Sequence, residues 1–205
     1  TYASNTENLK EVEMSKNYLF IKGNILDKKK MEETLTKFAP KVIFNFAAET
    51  HVDNSINDPY PFVETNVLGT NNLLTATLSY WNNLKGLEKD QFRFVQISTD
   101  EVFGSLKKND PPVTDKSPFK PNNPYAASKA GLVNLTKTLA LEAAPKVRVN
   151  AVGPAAVDTA FLRGGTGRSE ENEPVSLDIK SYVRMTPLAR MATPQDIVGP
   201  IMFLL

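Results

Sequence analysis

The chain has 205 residues, enough for one domain with a sizeable core. Hydrophobic residues at 41% against charged residues at 23% read as a water-soluble globular protein, and a formal net charge of +1 gives no electrostatic footprint for nucleic acid or a membrane surface. No cysteine and a single histidine, His51, rule out disulfides and thiolate chemistry and argue against a structural zinc site.

In chain order, the first expected element is a short apolar strand over 18–21, closed by Gly23-Asn24. Residues 28–38 have helical spacing, with Met31, Leu35 and Phe38 on one face, and Pro40 ends them. The continuous apolar run 42–48 reads as a strand buried on both faces. A long helix over 61–80 turns Phe62, Val63, Val67, Leu68, Leu73 and Leu74 inward. Another buried strand covers 92–97. Asn123-Pro124 starts a helix, Asn as cap and Pro in the first turn, that runs to about Ala143 before Pro145. A strand over 147–152 follows, and Thr193-Pro194 opens a last helix. No apolar run is long enough to cross a bilayer and no signal peptide is visible, so the cytoplasm is the expected compartment. The chain begins at Thr1 without Met and stops at Leu205 inside an apolar pattern, so further residues are expected on both sides.

Strands alternating with helices at this spacing imply an α/β fold with a parallel sheet covered on both faces. Ligands in such sheets bind at the carboxyl ends of the strands. The polar clusters Gly23-Asn24, Ala47-Ala48-Glu49, Ser98-Thr99-Asp100-Glu101 and Gly153-Pro154 fall at those ends. Tyr125 and Lys129 stand four apart on one helix face. An ammonium beside a phenol stabilises the phenolate, which suits Tyr125 to proton transfer near neutral pH.

Several strings resemble the short-chain dehydrogenase/reductase superfamily of NAD(P)-dependent enzymes. Thr1 to Asn5, Asn45 to Asp53, Thr65 to Thr70 and Ser98 to Gly104 are similar to the nucleotide-sugar 4,6-dehydratases, most of all the dTDP-glucose type. From about residue 126 the similarity passes to single-domain reductases, through Leu139 to Glu142, Val147 to Pro154, Val157-Asp158-Thr159 and Pro187 to Ile197. The switch falls at Tyr125–Lys129, which both branches share, and a chimera joined there has this appearance. The resemblance implies one Rossmann-like doubly wound domain over 1–205, lacking the first strand-turn-helix unit. Thr1 aligns just after the second strand, so the glycine fingerprint for the dinucleotide pyrophosphate and the acidic ribose ligand would precede it.

The roles that follow are those the resemblance implies. Tyr125 is the acid/base, Lys129 its partner and ribose contact, Thr99 the hydroxyl on the reacting oxygen, and Asn66 a support of the proton relay. After oxidation at C4 of the sugar, Glu101 takes the C5 proton and Asp100 assists departure of the C6 hydroxyl. NAD or NADP is the cofactor, with Asn24, Ile25, Ala47, Ala48, Thr99, Tyr125, Lys129, Pro154, Val157 and Thr159 as its contacts. Phe103 stands where the dehydratase pattern has Tyr, Asn24 where an acidic residue meets the adenine, and Ala155 where Gly follows Pro154. Gly164-Gly165-Thr166-Gly167 follows no buried strand and reads as part of a mobile substrate lid over about 155–190 rather than a pyrophosphate turn. The substrate is a nucleotide sugar or a small carbonyl compound, and the long helices form the interface of a homodimer or homotetramer. Two alternatives stay open: a simple carbonyl/alcohol oxidoreductase, and a non-catalytic or incomplete Rossmann-like module.

Overall fold

Three strands, β1 (Val42–Asn45), β2 (Arg93–Ile97) and β3 (Arg148–Val152), pair in parallel in the order β1-β2-β3. The structure is a computed structural model that describes residues 9–106, 110–145, 147–159, 178–186 and 188–205. Its helices are α1 (Lys10–Glu13), α2 (Lys28–Phe38), α3 (Val52–Asn57), α4 (Tyr60–Phe62), α5 (Thr70–Asn83), α6 (Gly86–Gln91), α7 (Pro124–Ala143), α8 (Ile179–Met185) and α9 (Pro194–Leu204). A π-helical segment, Val63–Gly69, joins α4 to α5, and a 3-10 turn, Asp100–Phe103, follows β2.

Local chemistry sets most of these boundaries. The Asp27 carboxylate accepts the Lys30 N–H at 3.0 Å to open α2, and Ala39, left-handed at φ 47°, closes it before Pro40. Asn123 caps α7 by accepting the Ala126 N–H at 2.7 Å, with Pro124 at the first position where no N–H is needed. Thr193 and Asp196 form a capping box at α9, the Asp196 carboxylate accepting from the Thr193 N–H at 2.7 Å.

The core lies between β2, β3 and the helices α5 and α7. Phe94 and Val149 are register partners and share one buried cluster with Leu73, Leu74, Trp81, Phe92, Ala143 and Val147. Each buried valine, leucine or phenylalanine of this cluster, taken from water, contributes roughly 1.5–3 kcal/mol. α2 packs on α5, and α7 packs on β3 and the π-helical segment. The opposite sheet face carries Phe44, Val95 and Asn150 in register across the three strands. Val95 is fully buried there, while Phe44 is 40% exposed.

Several expectations need correction. Residues 18–21 join no strand ladder among the described residues, and Leu19, Phe20 and Ile21 are exposed, because β-propensity without a paired neighbour makes no strand. The run 42–48 is a strand only to Asn45, and Phe44 and Phe46 are exposed, since β1 is the outer strand of the described sheet. The helix over 61–80 is three segments. Its π stretch shifts the register, which leaves Val63 and Leu68 outward while Phe62, Leu73 and Leu74 stay inward. Phe38, at the last position of α2, is exposed although Leu35 is buried. Within the expected lid, 178–186 includes helix α8, and Val157 bridges to Ala192. Gly164 to Gly167 lie outside the described residues.

Candidate active site

The carboxyl ends of β1 and β2 are tied by a buried amide pair. The Asn45 side-chain amide donates to Gln96 Oε1 at 2.9 Å, and the Gln96 amide donates to the carbonyls of Asn45 and Ile97 at 3.2 and 3.0 Å. The Ile97 carbonyl also accepts from Lys129 Nζ at 3.2 Å, which fixes the ammonium over the end of β2. Lys129 is almost wholly buried, and that burial pulls its pKa down to about 8, since desolvation disfavours the cation.

Directly after β2 the chain enters the 3-10 turn. The Thr99 hydroxyl accepts from the Glu101 N–H and donates to Asp100 Oδ1, both at 3.3 Å. Burial raises the Asp100 carboxyl above the usual carboxylate range. Glu101 is raised first by burial and then by the Asp100 charge, against a hydrogen bond from Asn123, the cap of α7. The turn packs against α7, the helix that carries Tyr125 and Lys129. Two carboxyls side by side with raised affinity for protons are suited to act as acid and base.

Tyr125 lies on the first turn of α7, and its ring packs edge-on against Phe62 of α4 with centroids 6.4 Å apart. Asn66 is fully buried in the π-helical segment. Its side chain clasps the Glu49 backbone, accepting from the N–H at 2.8 Å and donating to the carbonyl at 3.0 Å. Its amide donates a further bond to Ser128 Oγ at 2.8 Å. Ala48, buried, and Ala47, exposed, sit on the same loop after β1. The Pro154 carbonyl accepts from the Asp100 N–H at 3.1 Å, so the loop after β3 closes on the turn after β2. Gly153 permits this approach: a Cβ there would lie 3.3 Å from the Thr99 carbonyl oxygen.

These contacts bring Thr99, Asp100, Glu101, Tyr125, Lys129, Asn66 and Pro154 into one cluster. Asn24 and Ile25 belong to a different junction. Asn24 makes an Asx turn to the Leu26 N–H at 3.0 Å, and Ile25 packs onto Gly69. Val157 and Thr159 lie further along the loop after β3, where Val157 pairs with Ala192 and the Ala156 N–H donates to the Tyr182 hydroxyl at 3.2 Å. A cavity of about 370 Å³, lined by Glu32, Thr36, Tyr80 and Asn83 among others, holds none of the candidate residues.

Sequence reading gave no role to two residues of the cluster, Ser55 and Ser128, while it placed Phe62 in the core and Ser98 in a polar strand end. Ser128 stands inside Tyr-Ala-Ala-Ser-Lys and Ser55 just past His51-Val52-Asp53, so position within those strings was the available signal. His51 itself is a helix cap, its Nδ1 accepting the Asn54 N–H at 3.4 Å.

Comparison with known proteins gives the cluster a setting. Residues 1–150 match the family model described as GDP-mannose 4,6 dehydratase, and residues 113–205 match the model described as enoyl-(acyl carrier protein) reductase. The dTDP-glucose 4,6-dehydratase of Haemophilus influenzae is 43% identical over 137 residues, covering 67% of this chain and 40% of that protein. Its counterpart dTDP-glucose 4,6-dehydratase 1 of Escherichia coli is 40% identical over 145 residues, with the same coverage of 67% and 40%. Among solved structures, the dTDP-glucose 4,6-dehydratase of Streptomyces venezuelae with NAD bound superposes with a TM-score of 0.63 at 36% identity, over 74% of this chain and 43% of that one. The enzyme of Bacillus anthracis in complex with NAD gives 0.59 at 33% identity, again over 74% and 43%. The chain therefore spans about two fifths of the length of these relatives. With 150 matched residues, the chain belongs to the family described as GDP-mannose 4,6 dehydratase, within the short-chain dehydrogenase/reductase superfamily.

Proposed function

We propose that this chain carries the proton-transfer centre of an NAD(P)-dependent nucleotide-sugar 4,6-dehydratase, acting on a dTDP-glucose-like substrate. The observation that carries this reading is the junction of two turns. The acidic turn at Asp100–Phe103 packs against α7, which carries Tyr125 and Lys129, and the Lys129 ammonium bonds the Ile97 carbonyl at the end of β2 just before that turn. A simple reductase needs only the second turn; a 4,6-dehydratase needs both.

The residues at the strand ends fit the nicotinamide-ribose end of a dinucleotide. Ser98 Oγ is buried there without a partner, and the Lys129 ammonium makes one hydrogen bond and so keeps donors for a ribose. When bound, the cofactor supplies the hydride acceptor and donor. Tyr125, as the phenolate that the Lys129 cation stabilises, takes the proton of the C4 hydroxyl and becomes the neutral phenol. Thr99 donates to the same oxygen once its hydroxyl turns from Asp100. Glu101 removes the C5 proton as the base, and Asp100, whose burial favours its protonated form, gives a proton to the departing C6 hydroxyl.

A second reading, a simple carbonyl or alcohol oxidoreductase, is favoured by the match of residues 113–205 to a reductase model. The two matches overlap across Tyr125–Lys129, which supports a joined origin at that point. A cytoplasmic location and a homodimer through the 60–83 and 124–143 helices complete the proposal. Val63, Leu68 and Leu141 present apolar surface on these helices, and no described helix is long and apolar enough to cross a membrane. The deciding experiment adds NADH and follows its fluorescence, then supplies dTDP-glucose and assays a 4-keto-6-deoxy sugar nucleotide. Binding with formation of that product is expected. Turnover of a simple ketone alone would favour the second reading, and no binding at millimolar NADH would sink both.

A further inference from the structure

The backbone of Tyr125 is held from both sides by buried serines that come from different parts of the chain. Its N–H donates to Ser55 Oγ at 3.1 Å, and its carbonyl accepts from Ser128 Oγ at 2.7 Å. Ser55 is fully buried and Ser128 nearly so. A helix needs its first-turn N–H groups satisfied, and α7 does most of this locally. Pro124 has no N–H, Asn123 Oδ1 takes the Ala126 N–H at 2.7 Å, and the Asn123 carbonyl takes the Ala127 N–H at 2.9 Å. Tyr125 is the exception, because its acceptor lies seventy residues away on α3. Ser55 is itself fixed, donating to the Val52 carbonyl at 2.6 Å.

Ser128 extends the hold in the other direction. A serine hydroxyl bonded to a carbonyl one turn back is ordinary in a helix. This one simultaneously accepts from Asn66, whose side chain clasps the Glu49 backbone. A continuous buried path therefore runs from the loop after β1, through the π-helical segment, to the peptide of Tyr125.

We propose that Ser55 and Ser128 are positioning residues that bracket the Tyr125 backbone, so that its phenol keeps the place from which the Lys129 ammonium, one turn along the same helix face, can stabilise its anion. The proposal rests on the reading of Tyr125 as the acid/base. Without either hydroxyl, a buried N–H or amide loses its partner and the first turn of α7 is released on one side. A displacement of about 1 Å at such a group is enough to cost on the order of a hundredfold in rate.

The test labels the six tyrosines with 13C at Cζ, assigns Tyr125 by its loss in Tyr125→Phe, and follows its titration by NMR in the cofactor-free chain. Wild type is compared with Ser55→Ala, Ser128→Ala, Ser128→Thr and Lys129→Met. Both alanine variants are expected to move the Tyr125 midpoint toward that of Lys129→Met, and Ser128→Thr to restore it. If Lys129→Met shifts the midpoint and the alanine variants do not, the bracket is structural filler and the proposal falls while the Tyr125 reading stands. If Lys129→Met also leaves it unmoved, both fall. Should the alanine variants fail to fold, amide exchange in the wild type decides. The Tyr125 N–H is expected to exchange at least ~100-fold slower than an open first-turn amide, and fast exchange overturns the Ser55 contact.

Discussion

Lys129 is a cation kept where water is scarce. Its pKa falls from an unfolded value of 10.5 to about 8 through burial, so the unfolded chain binds more protons than the folded one between those values. Linkage then requires stability to rise as pH climbs from about 8 to 10.5, the full penalty being present below pH 8. Lys129→Met should abolish turnover yet raise unfolding free energy at pH 7 by roughly 3 kcal/mol, the gain vanishing near pH 10.5. Urea titrations at several pH values check this; an Lys129→Met variant less stable than wild type at pH 7 would refute it. Asp100 has the mirror-image behaviour. Its raised carboxyl contributes stability below its unfolded value of 3.8 that is lost as pH rises through the folded value. Asp100→Asn should remove that slope and, in the proposed reaction, suppress elimination while sparing oxidation at C4, as product analysis would show. The Tyr-Lys spacing and the Asp-Glu pair were legible in the sequence because they are short strings. The burial that sets their charge states was not, since it depends on which elements close over them.

At the scale of elements, caps were the most readable signals. Asn123-Pro124 and Thr193-Pro194 mark helix starts by chemistry confined to four residues, and both stand where expected. The strand expected over 18–21 failed for the opposite reason: a strand is a property of two segments. The π-helical segment was equally hidden, because its wider turn accompanies the hold of Asn66 on Glu49, seventeen residues away. Gly104 closes the acidic turn at φ 78°, and a Cβ there would collide with the Lys120 carbonyl. Gly104→Ala should cost at least ~2 kcal/mol in thermal or urea unfolding, and activity should fall with the displaced turn. A neutral substitution would show the turn to be pliable. At the other end of the chain, Asp196 accepts two hydrogen bonds from Arg190, at 2.6 and 2.8 Å, and caps α9. These contacts hold its carboxyl far below the usual range, so the contribution is present above pH 3.8 and lost on acidification. Asp196→Asn should lower the melting temperature by a few degrees at low salt, with less effect at about 1 M salt where the ion pair is screened. An unchanged melting temperature at low salt would count against the cap.

Across the whole molecule, the alternation of strands and helices made the parallel sheet legible, and the comparisons extend it to relatives more than twice as long. The sequence did not show which faces stay open. Phe44 and Phe46 at the β1 side and Met202 and Phe203 on α9 are all exposed, so apolar surface remains at both margins of the sheet. Strand order has a further consequence, one of timing. Because neighbours in the sheet are successive in the chain, each pairing joins residues about fifty positions apart, Val42 with Arg93 and Arg93 with Arg148. Such distant contacts recruit late and slowly, since a long loop must close before any hydrogen bond rewards it. Pro154 meets Asp100 only when β3 docks. A chain emerging from the ribosome would therefore acquire its acidic turn well before the loop that closes on it, and the two halves of the centre would mature in sequence rather than together.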